Sequence, residues 1–481
     1  MRPMDDDNVS SRNLINRGKE LTLIQHALDA LRSNNNTPLN TPIINFFGID
    51  GIGKTRILQE ISARCRGNDL LCLELDGSQT TTNISRAILL QTKKYRQRSP
   101  QQNTPKKRDS QSQTVNAIKS TLNSTPVVIL FDSIDASNNT LINWIKITFS
   151  DIFHALMEHN NLFIVLMSKQ QVIFEDDWFM TRKLTPFPLK PLDHNNSRFY
   201  LDSLVETRQL PLSPQESNRS DSSSYRDALD ENTSKFILQW TRGYPLAMEV
   251  MTKAIFQQHF DIEQTVDQQQ LITLIIEEVI DKKVLAHVEP SLLDWYKAHY
   301  LLLSIPRRFN LIIMQELLET FGYPLIEKLQ SKLEYIGLPK RLSPNIEILR
   351  WDTQKAGYTL DASIRNILLI YQQIYNNSLF INVNLYLVNR NWEIAQEVFG
   401  SGSDCIRYFL EYLYHSALCS DTRTAETNSE TMLHKLSEAS LDVRMQFYQK
   451  FVYDTELLEV LAKHHPSVLR LIHKHFHHKE E

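Results

Sequence analysis

The sequence predicts an α/β domain, a parallel sheet with helices on both faces, followed by a longer region that is almost wholly α-helical. Three observations carry this. Short apolar runs alternate with helical apolar patterns through the first 180 residues or so. A glycine-rich turn joins the first of these runs to a helix. Beyond about residue 190 the apolar spacing is helical, broken by one short hairpin pattern. Strand–helix alternation makes a parallel sheet, because each crossover must pack a helix back onto a sheet face.

In order along the chain, residues 1–12 are polar, and Leu14 to Leu31 carries apolar residues at three- and four-residue spacing, a helical face. The stretch 33–42 is a loop by composition. Ile43 to Phe47 reads as a buried strand, Thr55 to Cys65 as a helix and Leu70 to Leu75 as a second strand. Residues 93–113 form a polar insertion whose Lys93, Lys94, Arg96, Arg98, Lys106, Lys107 and Arg108 precede its first acid, Asp109, and we read it as a solvated loop, with contact to a phosphate backbone as the alternative. Val127 to Phe131 is a third strand, Leu141 to Met157 a helix and Leu162 to Met167 a fourth strand. Helices follow at Asn195–Glu206, at Lys235–Phe256 with an interruption at Gly243 and Pro245, and at Leu271–Val284, with a serine-rich loop within 212–234. Ser291 to Leu338 reads as three helical segments, and Glu347–Trp351 with Tyr358–Leu360 as a hairpin, the pattern of a winged helix closed by a helix from Ala362. The rest is helical and rich in aromatics. The expected domains are therefore 1–190, a nucleotide-binding domain; 191–285, a helical lid; 286–380, a winged helix; and 381–481, a C-terminal helical domain.

Bulk properties narrow the setting. The 481 residues are 42% hydrophobic and 22% charged, enough for several packed cores, and the formal net charge of −4 gives no global attraction to nucleic acid. No apolar run reaches membrane-spanning length, and the N-terminus MRPMDDDNVSS lacks the pattern of a secretory signal. Cys65, Cys72, Cys405 and Cys419 show no CxxC pairing, so we expect reduced thiols and a cytoplasmic protein without membrane contact.

The chemistry concentrates at Gly48-Ile49-Asp50-Gly51-Ile52-Gly53-Lys54-Thr55, a complete GxxxxGK[ST] P-loop between an apolar strand and a helix. Gly48, Gly51 and Gly53 let the backbone wrap a phosphate chain, and the following helix N-terminus attracts the anion. Lys54 is expected to reach the β- and γ-phosphates of a nucleoside triphosphate, and Thr55 to ligate Mg²⁺. Asp132, at the end of the buried run Val127–Phe131, is the expected second Mg²⁺ residue, acting through water. Where many hydrolases carry a second acid, this chain has Ser133. Asp135 either polarises the attacking water or caps the next helix. Ser168 or Lys169, at the end of the fourth strand, is the candidate to face the γ-phosphate.

Taken in order, Ile15-Asn16-Arg17-Gly18-Lys19-Glu20-Leu21, the P-loop, Val127–Asp135, the Ser168 strand end, Phe187-Pro188-Leu189-Lys190-Pro191-Leu192 and Arg242-Gly243-Tyr244-Pro245-Leu246-Ala247 resemble the STAND class of signal-transduction ATPases, which includes the NB-ARC and NACHT switches and is related to AAA+ proteins. The resemblance spans residues 14–375 or so. It implies that Arg17 contacts nucleotide, although Asn16 stands where the family carries glycine, that Pro245 packs near the adenine, and that Asp132 serves the magnesium. It also implies a winged helix ending at Tyr358–Arg365. No effector domain and no long repeat sensor is recognisable.

The smaller clusters read as structure. His464, His465, His473, His475, His477 and His478 form a solvated tail, and Tyr412, Tyr414 and His415 form core. Lys328, Lys332, Lys340 and Arg341 are a helical face interspersed with Glu327 and Glu334. The functional expectation is an ATP/ADP-binding, Mg²⁺-dependent switch with slow hydrolysis, controlling self-association or a protein partner. The alternative is a DNA-binding AAA+ ATPase of the origin-recognition type, using its winged helix. Against it stand Asp132-Ser133 in place of paired acids and Gly243-Tyr244-Pro245 in place of a lid arginine, with Arg242 the nearest substitute. A scaffold that binds nucleotide without turnover is the third reading.

Overall fold

The structure, a computed structural model, describes residues 17–33, 39, 41–68, 70–97, 110–155, 161–207, 230–322, 326, 331–343, 348–353 and 356–477. The chain divides into two compact units, one made of 1–267, 277–287 and 343–348 and the other of 268–276, 288–342 and 349–481.

The first unit opens with α1 (Gly18–Arg32), which buries Ile24, Ala27, Leu28 and Leu31 on one stripe. Strand β1 (Ile43–Phe47) is buried at every position. It is followed by α2 (Lys54–Gly67), β2 (Leu71–Asp76), α3 (Thr81–Gln97), α4 (Ser110–Leu122), β3 (Val127–Ile134), α5 (Asn139–Ala155), β4 (Leu162–Ser168), α6 (Trp178–Lys183) and β5 (Leu184–Pro188). The strands form one parallel sheet in the order β2-β3-β4-β1-β5. The apolar runs of β1, β3 and β4 suit strands covered on both faces, whereas β2, at an edge, alternates and buries Leu71, Leu73 and Leu75. Packed on the sheet are Ile84 and Ile88 of α3, Ile118 of α4, and Ile145, Phe149 and Ile152 of α5. Strand β1 lies between β4 and β5, both formed later in the chain. The carboxyl end of β1 is thus a topological switch point, where open α/β sheets bind ligands. Register places Phe47 beside Ser168, and Asp76 beside Asp132, on the same sheet edge.

Next come α7 (His194–Thr207), α8 (Glu231–Thr241), α9 (Pro245–Gln257) and α10 (Thr265–Ile275), whose residues from 268 on belong to the second unit, and which continues as wider π-helical turns over Ile276–Val284. In the second unit, α11 (Leu293–Leu303), α12 (Leu311–Phe321) and α13 (Lys332–Leu342) precede the antiparallel hairpin of β6 (Leu349–Asp352) and β7 (Gly357–Leu360). Phe309 pairs with Tyr358 on the hairpin's other side, so three helices and a small sheet make the winged helix. Helix α14 (Ala362–Tyr375) closes it, its N-terminus capped by Asp361. The C-terminal helices are α15 (Asn377–Glu397), α16 (Cys405–Cys419), α17 (Thr422–Ser437), α18 (Leu441–Tyr453), α19 (Thr455–His464) and α20 (Pro466–His477). Tyr412, Tyr414 and His415 of α16 are core, as the sequence predicts.

Inside this second unit two arginines are buried with their counter-ions. Arg307 reaches Asp454 at 2.7 Å and Glu411 at 3.0 Å, and Arg365 reaches Glu456 at 2.5 Å and the Tyr414 hydroxyl at 3.1 Å. The network ties the segment after α11, and α14, to α16, α18 and α19. A buried guanidinium is tolerated only when so fully paired.

Three expectations are corrected. The polar stretch from residue 93 is not all loop: α3 runs to Gln97, placing exposed Lys93 and Lys94 on a helix whose buried Ile84, Ile88 and Thr92 keep helical spacing, while 98–109 fall outside the described residues. A fifth strand, β5, was hidden by Pro186 and Pro188. Among the described residues it is an edge strand that pairs with β1, where proline is tolerated. The stretch 235–256 is interrupted as expected, Gly243 (φ +76°) and Pro245 ending α8 and starting α9. The C-terminal histidines do not form a tail: His464 ends α19, His473, His475 and His477 lie on α20, and His465 is buried with Nε2 on the Ala417 carbonyl at 3.0 Å. His478 and most of the serine-rich stretch 212–234 lie outside the described residues, as do Lys328 and Glu327.

Candidate functional site

The P-loop links β1 to α2, and its residues converge at the switch point. Gly51 has φ +78°, and a Cβ there would sit 2.5 Å from the Leu246 Cβ, so the loop needs glycine for conformation and for space. Gly53 is the N-cap of α2, which puts Lys54 and Thr55 in its first turn. The first N–H groups of a helix have no intrahelical acceptor and favour an anion. Lys54 Nζ donates to the Gly48 carbonyl at 2.7 Å and the Ile49 carbonyl at 3.0 Å, and curls over the loop it serves. Burial lowers the Lys54 pKa, opposed chiefly by Asp50. The Thr55 hydroxyl donates to Asp132 Oδ2 at 3.1 Å. The two expected Mg²⁺ residues are therefore adjacent although 77 positions apart in sequence. Oxygen donors of this kind suit a hard divalent ion that keeps several waters.

Asp50 forms a second cluster on the same loop. Its carboxylate lies 3.4 Å from Lys54 Nζ and 2.6 Å from Lys169 Nζ, and its carbonyl accepts from the Tyr244 hydroxyl. His287 feels the same charges: burial and Lys169 lower its pKa, and Asp50 opposes them.

Three expected site residues make other contacts. Ser168 is buried, accepts from Asn45 Nδ2 at 2.8 Å and donates to the Gln170 carbonyl at 2.5 Å, so its hydroxyl faces the sheet. Between Ser168 and Lys169, the structure brings Lys169 to the P-loop. Asp135 Oδ1 accepts from the Ser137 N–H at 2.9 Å and its hydroxyl at 2.6 Å, a local turn, and is not joined to the Thr55–Asp132 pair by any hydrogen bond among the described residues. Between them Ser133 has φ +56°, and the β3–β4 register jumps from Phe131↔Leu166 to Ile134↔Ser168. That kink separates the two acids. Arg17 is buried and donates to the Lys190 and Ile52 carbonyls, each at 2.6 Å. It acts as a strut between the segment before α1, the P-loop and the segment after β5.

Pro245 is the first residue of α9 and is buried. The turn before it is pinned: the Leu192 N–H donates to the Gly243 carbonyl at 2.9 Å, and a Cβ on Gly243 would lie 2.0 Å from the Leu192 carbonyl oxygen. Tyr244 is fully buried with its hydroxyl on the P-loop, and Leu246 presses on Gly51. The segments 187–192 and 242–247, read separately in the sequence, are thus one clamp on the phosphate loop.

No protein-family model matches the sequence, and no curated protein matches it. Among solved structures, the chain is similar to Cdc6p from Pyrobaculum aerophilum, at 12% identity over 76% of this chain and 96% of that one, with a TM-score of 0.37. It is also similar to the ADP form of the Aeropyrum pernix ORC2 protein, at 11% identity over 78% and 97%, with a TM-score of 0.40. A third is AMPPCP-bound DnaA from Aquifex aeolicus, at 14% identity over 76% and 95%, with a TM-score of 0.34.

Sequence reasoning missed Asp50, Tyr244, Asn45 and His287. Asp50 lies inside the motif at a position the P-loop pattern leaves open, so no signal marked it beyond an acid set within a phosphate loop. Asn45 was detectable as the single polar residue of an otherwise apolar strand. His287 has no sequence signal at all.

Proposed function

We propose that this chain is a nucleotide-controlled switch: a P-loop ATPase that holds ADP or ATP with Mg²⁺ and hydrolyses slowly. Lys54 serves the β- and γ-phosphates, and Thr55 and Asp132 hold the metal through oxygen and water. The metal supplies charge neutralisation at the phosphates. Asp135 is given a structural role, and slow turnover follows from the absence of a second acid next to Asp132. The observation that carries the switch is the contact of the lid with the phosphate loop: the Tyr244 hydroxyl on the Asp50 carbonyl and Leu246 against Gly51. A change at the γ-phosphate reaches the lid without an intermediary. A ligand shifts such an equilibrium only by its differential affinity for the two forms.

For the output, two readings stand together. One is the STAND reading, self-association or a protein partner, supported by the order of motifs through Gly243-Tyr244-Pro245 and by Leu333 and Ile336 of α13, which are 77% and 57% exposed. The other is DNA binding of the initiator type, supported by the hairpin that carries exposed Arg350 and Trp351 and by exposed Lys340 and Arg341 of α13. Solved structures similar to this chain include DnaA bound to AMPPCP and single-stranded DNA, and the Aeropyrum pernix ORC1 protein in complex with DNA.

The test compares native protein with Lys54→Ala in ADP and in a non-hydrolysable ATP analogue with Mg²⁺, reading mass in solution and the shift of a duplex DNA. Larger assemblies only with triphosphate support the first output. A salt-dependent DNA shift, lost in Arg350→Glu, supports the second. Native protein that binds neither nucleotide sinks the whole reading.

A further inference from the structure

We infer that Asp50 is an internal counter-anion that competes with the γ-phosphate for Lys54 and Lys169 and so sets the preference of this site between nucleoside diphosphate and triphosphate. The inference rests on the nucleotide-binding reading above and names the residue that would make it a switch.

The geometry is specific. Lys54 comes from the first turn of α2 and Lys169 from the residue after β4, and the only acid joining them among the described residues is Asp50, at 3.4 Å and 2.6 Å. The three side chains are between 11% and 35% exposed, so the pairs are partly shielded from water. In a P-loop the lysine serves the β- and γ-phosphates. A cation beyond the strand next to β1 stands on the γ side, because Ser168 is in register with the last residue of β1. One carboxylate therefore holds both cations that a triphosphate's terminal group would use. A diphosphate needs only part of Lys54 and leaves the Lys169 pair intact. A triphosphate has to displace the carboxylate from both.

The same residue is the lid's foothold. The Asp50 carbonyl accepts from the Tyr244 hydroxyl, and its neighbour Gly51 packs against Leu246. The carboxylate that a triphosphate must displace and the carbonyl on which the lid rests therefore belong to one residue. Charge competition and lid position are thus coupled through one residue, with no chain of contacts in between.

The test measures the dissociation constants of Mg²⁺–ADP and of a non-hydrolysable Mg²⁺–ATP analogue by calorimetry for native protein, Asp50→Asn and Asp50→Ala. Asp50→Asn keeps shape and the carbonyl contact, so it serves if Asp50→Ala fails to fold. The expected result is triphosphate affinity raised by about tenfold, the scale of losing two partly exposed ion pairs, with ADP affinity changed by less than about threefold. Asp50→Glu should restore the native ratio, a response that a purely structural role would not give. A diphosphate-to-triphosphate ratio unchanged in both variants overturns the inference while leaving nucleotide binding standing. Triphosphate affinity that falls overturns it too, and would make Asp50 a ligand of the metal. Native protein that binds neither nucleotide overturns both readings together.

Discussion

Asn45 Nδ2 and Ser168 Oγ lie 2.8 Å apart across the neighbouring strands β1 and β4. The same amide reaches the Leu166 carbonyl at 3.2 Å, and Asn45 Oδ1 accepts from the Val172 N–H at 2.8 Å. One buried side chain therefore fixes the segment after β4 that carries Lys169. Asn45→Leu removes these bonds at nearly constant volume and leaves the buried Val172 N–H without an acceptor. We expect a loss of about 2–3 kcal/mol, read as a lower urea midpoint with unchanged m-value. An unmoved midpoint would show that the segment after β4 finds other partners.

Gly243 and Gly337 give an internal contrast. A Cβ on Gly243 meets the Leu192 carbonyl at 2.0 Å, at φ +76°, and backbone oxygen cannot yield as a side chain can. Gly243→Ala should cost more than about 2 kcal/mol and loosen the clamp on the P-loop, lowering nucleotide affinity with it. Gly337, inside α13, has nothing within 4 Å of its would-be Cβ. Gly337→Ala should stabilise by about 1 kcal/mol, the difference in helix propensity. Equal effects on thermal midpoint from the two would refute the clamp.

What the sequence displayed and what it hid divide along physical lines. Strands β1, β3 and β4 are buried on both faces and showed themselves as uninterrupted apolar runs. The P-loop did so because its spacing is imposed by phosphate geometry. Edge strand β5 escaped, since an edge tolerates the prolines that ordinarily speak against a strand. Thr55 and Asp132, expected in one site, lie within hydrogen-bond distance because each is placed by its own element end. Ser168 or Lys169 is the expected residue at the γ-phosphate because strand-end polarity is visible in sequence, whereas the direction of the Ser168 hydroxyl is set by Asn45 on a different strand. Arg17 enters as a nucleotide contact only through the resemblance, and the carbonyls of Ile52 and Lys190 that it reaches come from distant segments that the sequence does not pair with it.

The Thr55–Asp132 contact of 3.1 Å predicts a metal-specific defect. Thr55→Ala and Asp132→Asn should each weaken triphosphate binding roughly ten- to hundredfold in the presence of Mg²⁺, the size of effects of groups that hold a metal or its waters. In excess EDTA both should match native protein, because the phosphate cradle is untouched. Fluorescence titration with a labelled nucleotide, with and without Mg²⁺, checks this. A defect of equal size without metal would assign the pair to loop structure instead.

The buried network of the second unit predicts its response to acid. His415 Nδ1 lies 2.7 Å from Asn384 Oδ1, and since the Asn384 amide nitrogen donates to the Phe380 carbonyl, that oxygen is an acceptor and His415 carries its proton on Nδ1. Burial, against the attraction of Glu411 and with repulsion from Arg307 and Arg365, pushes the His415 pKa down to about 3. The unfolded chain takes up a proton near its ordinary pKa of about 6.5, and the folded chain does not until about pH 3. Between these values the unfolded state binds more protons, so stability falls as pH falls, by about 1.4 kcal/mol per unit for this one group. Glu411 and Glu456 act lower down: burial alone would raise them, but the arginines hold both at about 2, so their contribution is lost as pH drops below the ordinary glutamate range. His415→Gln therefore separates the two effects. It should remove about one proton from the pH dependence of the urea midpoint between pH 6.5 and 4.5, followed by far-UV circular dichroism, and leave the steeper loss below pH 4 in place. If the variant and the native protein lose stability in parallel over the upper window, His415 is already charged in the fold, and Glu411, 3.7 Å from its Nε2, is its partner as a true ion pair.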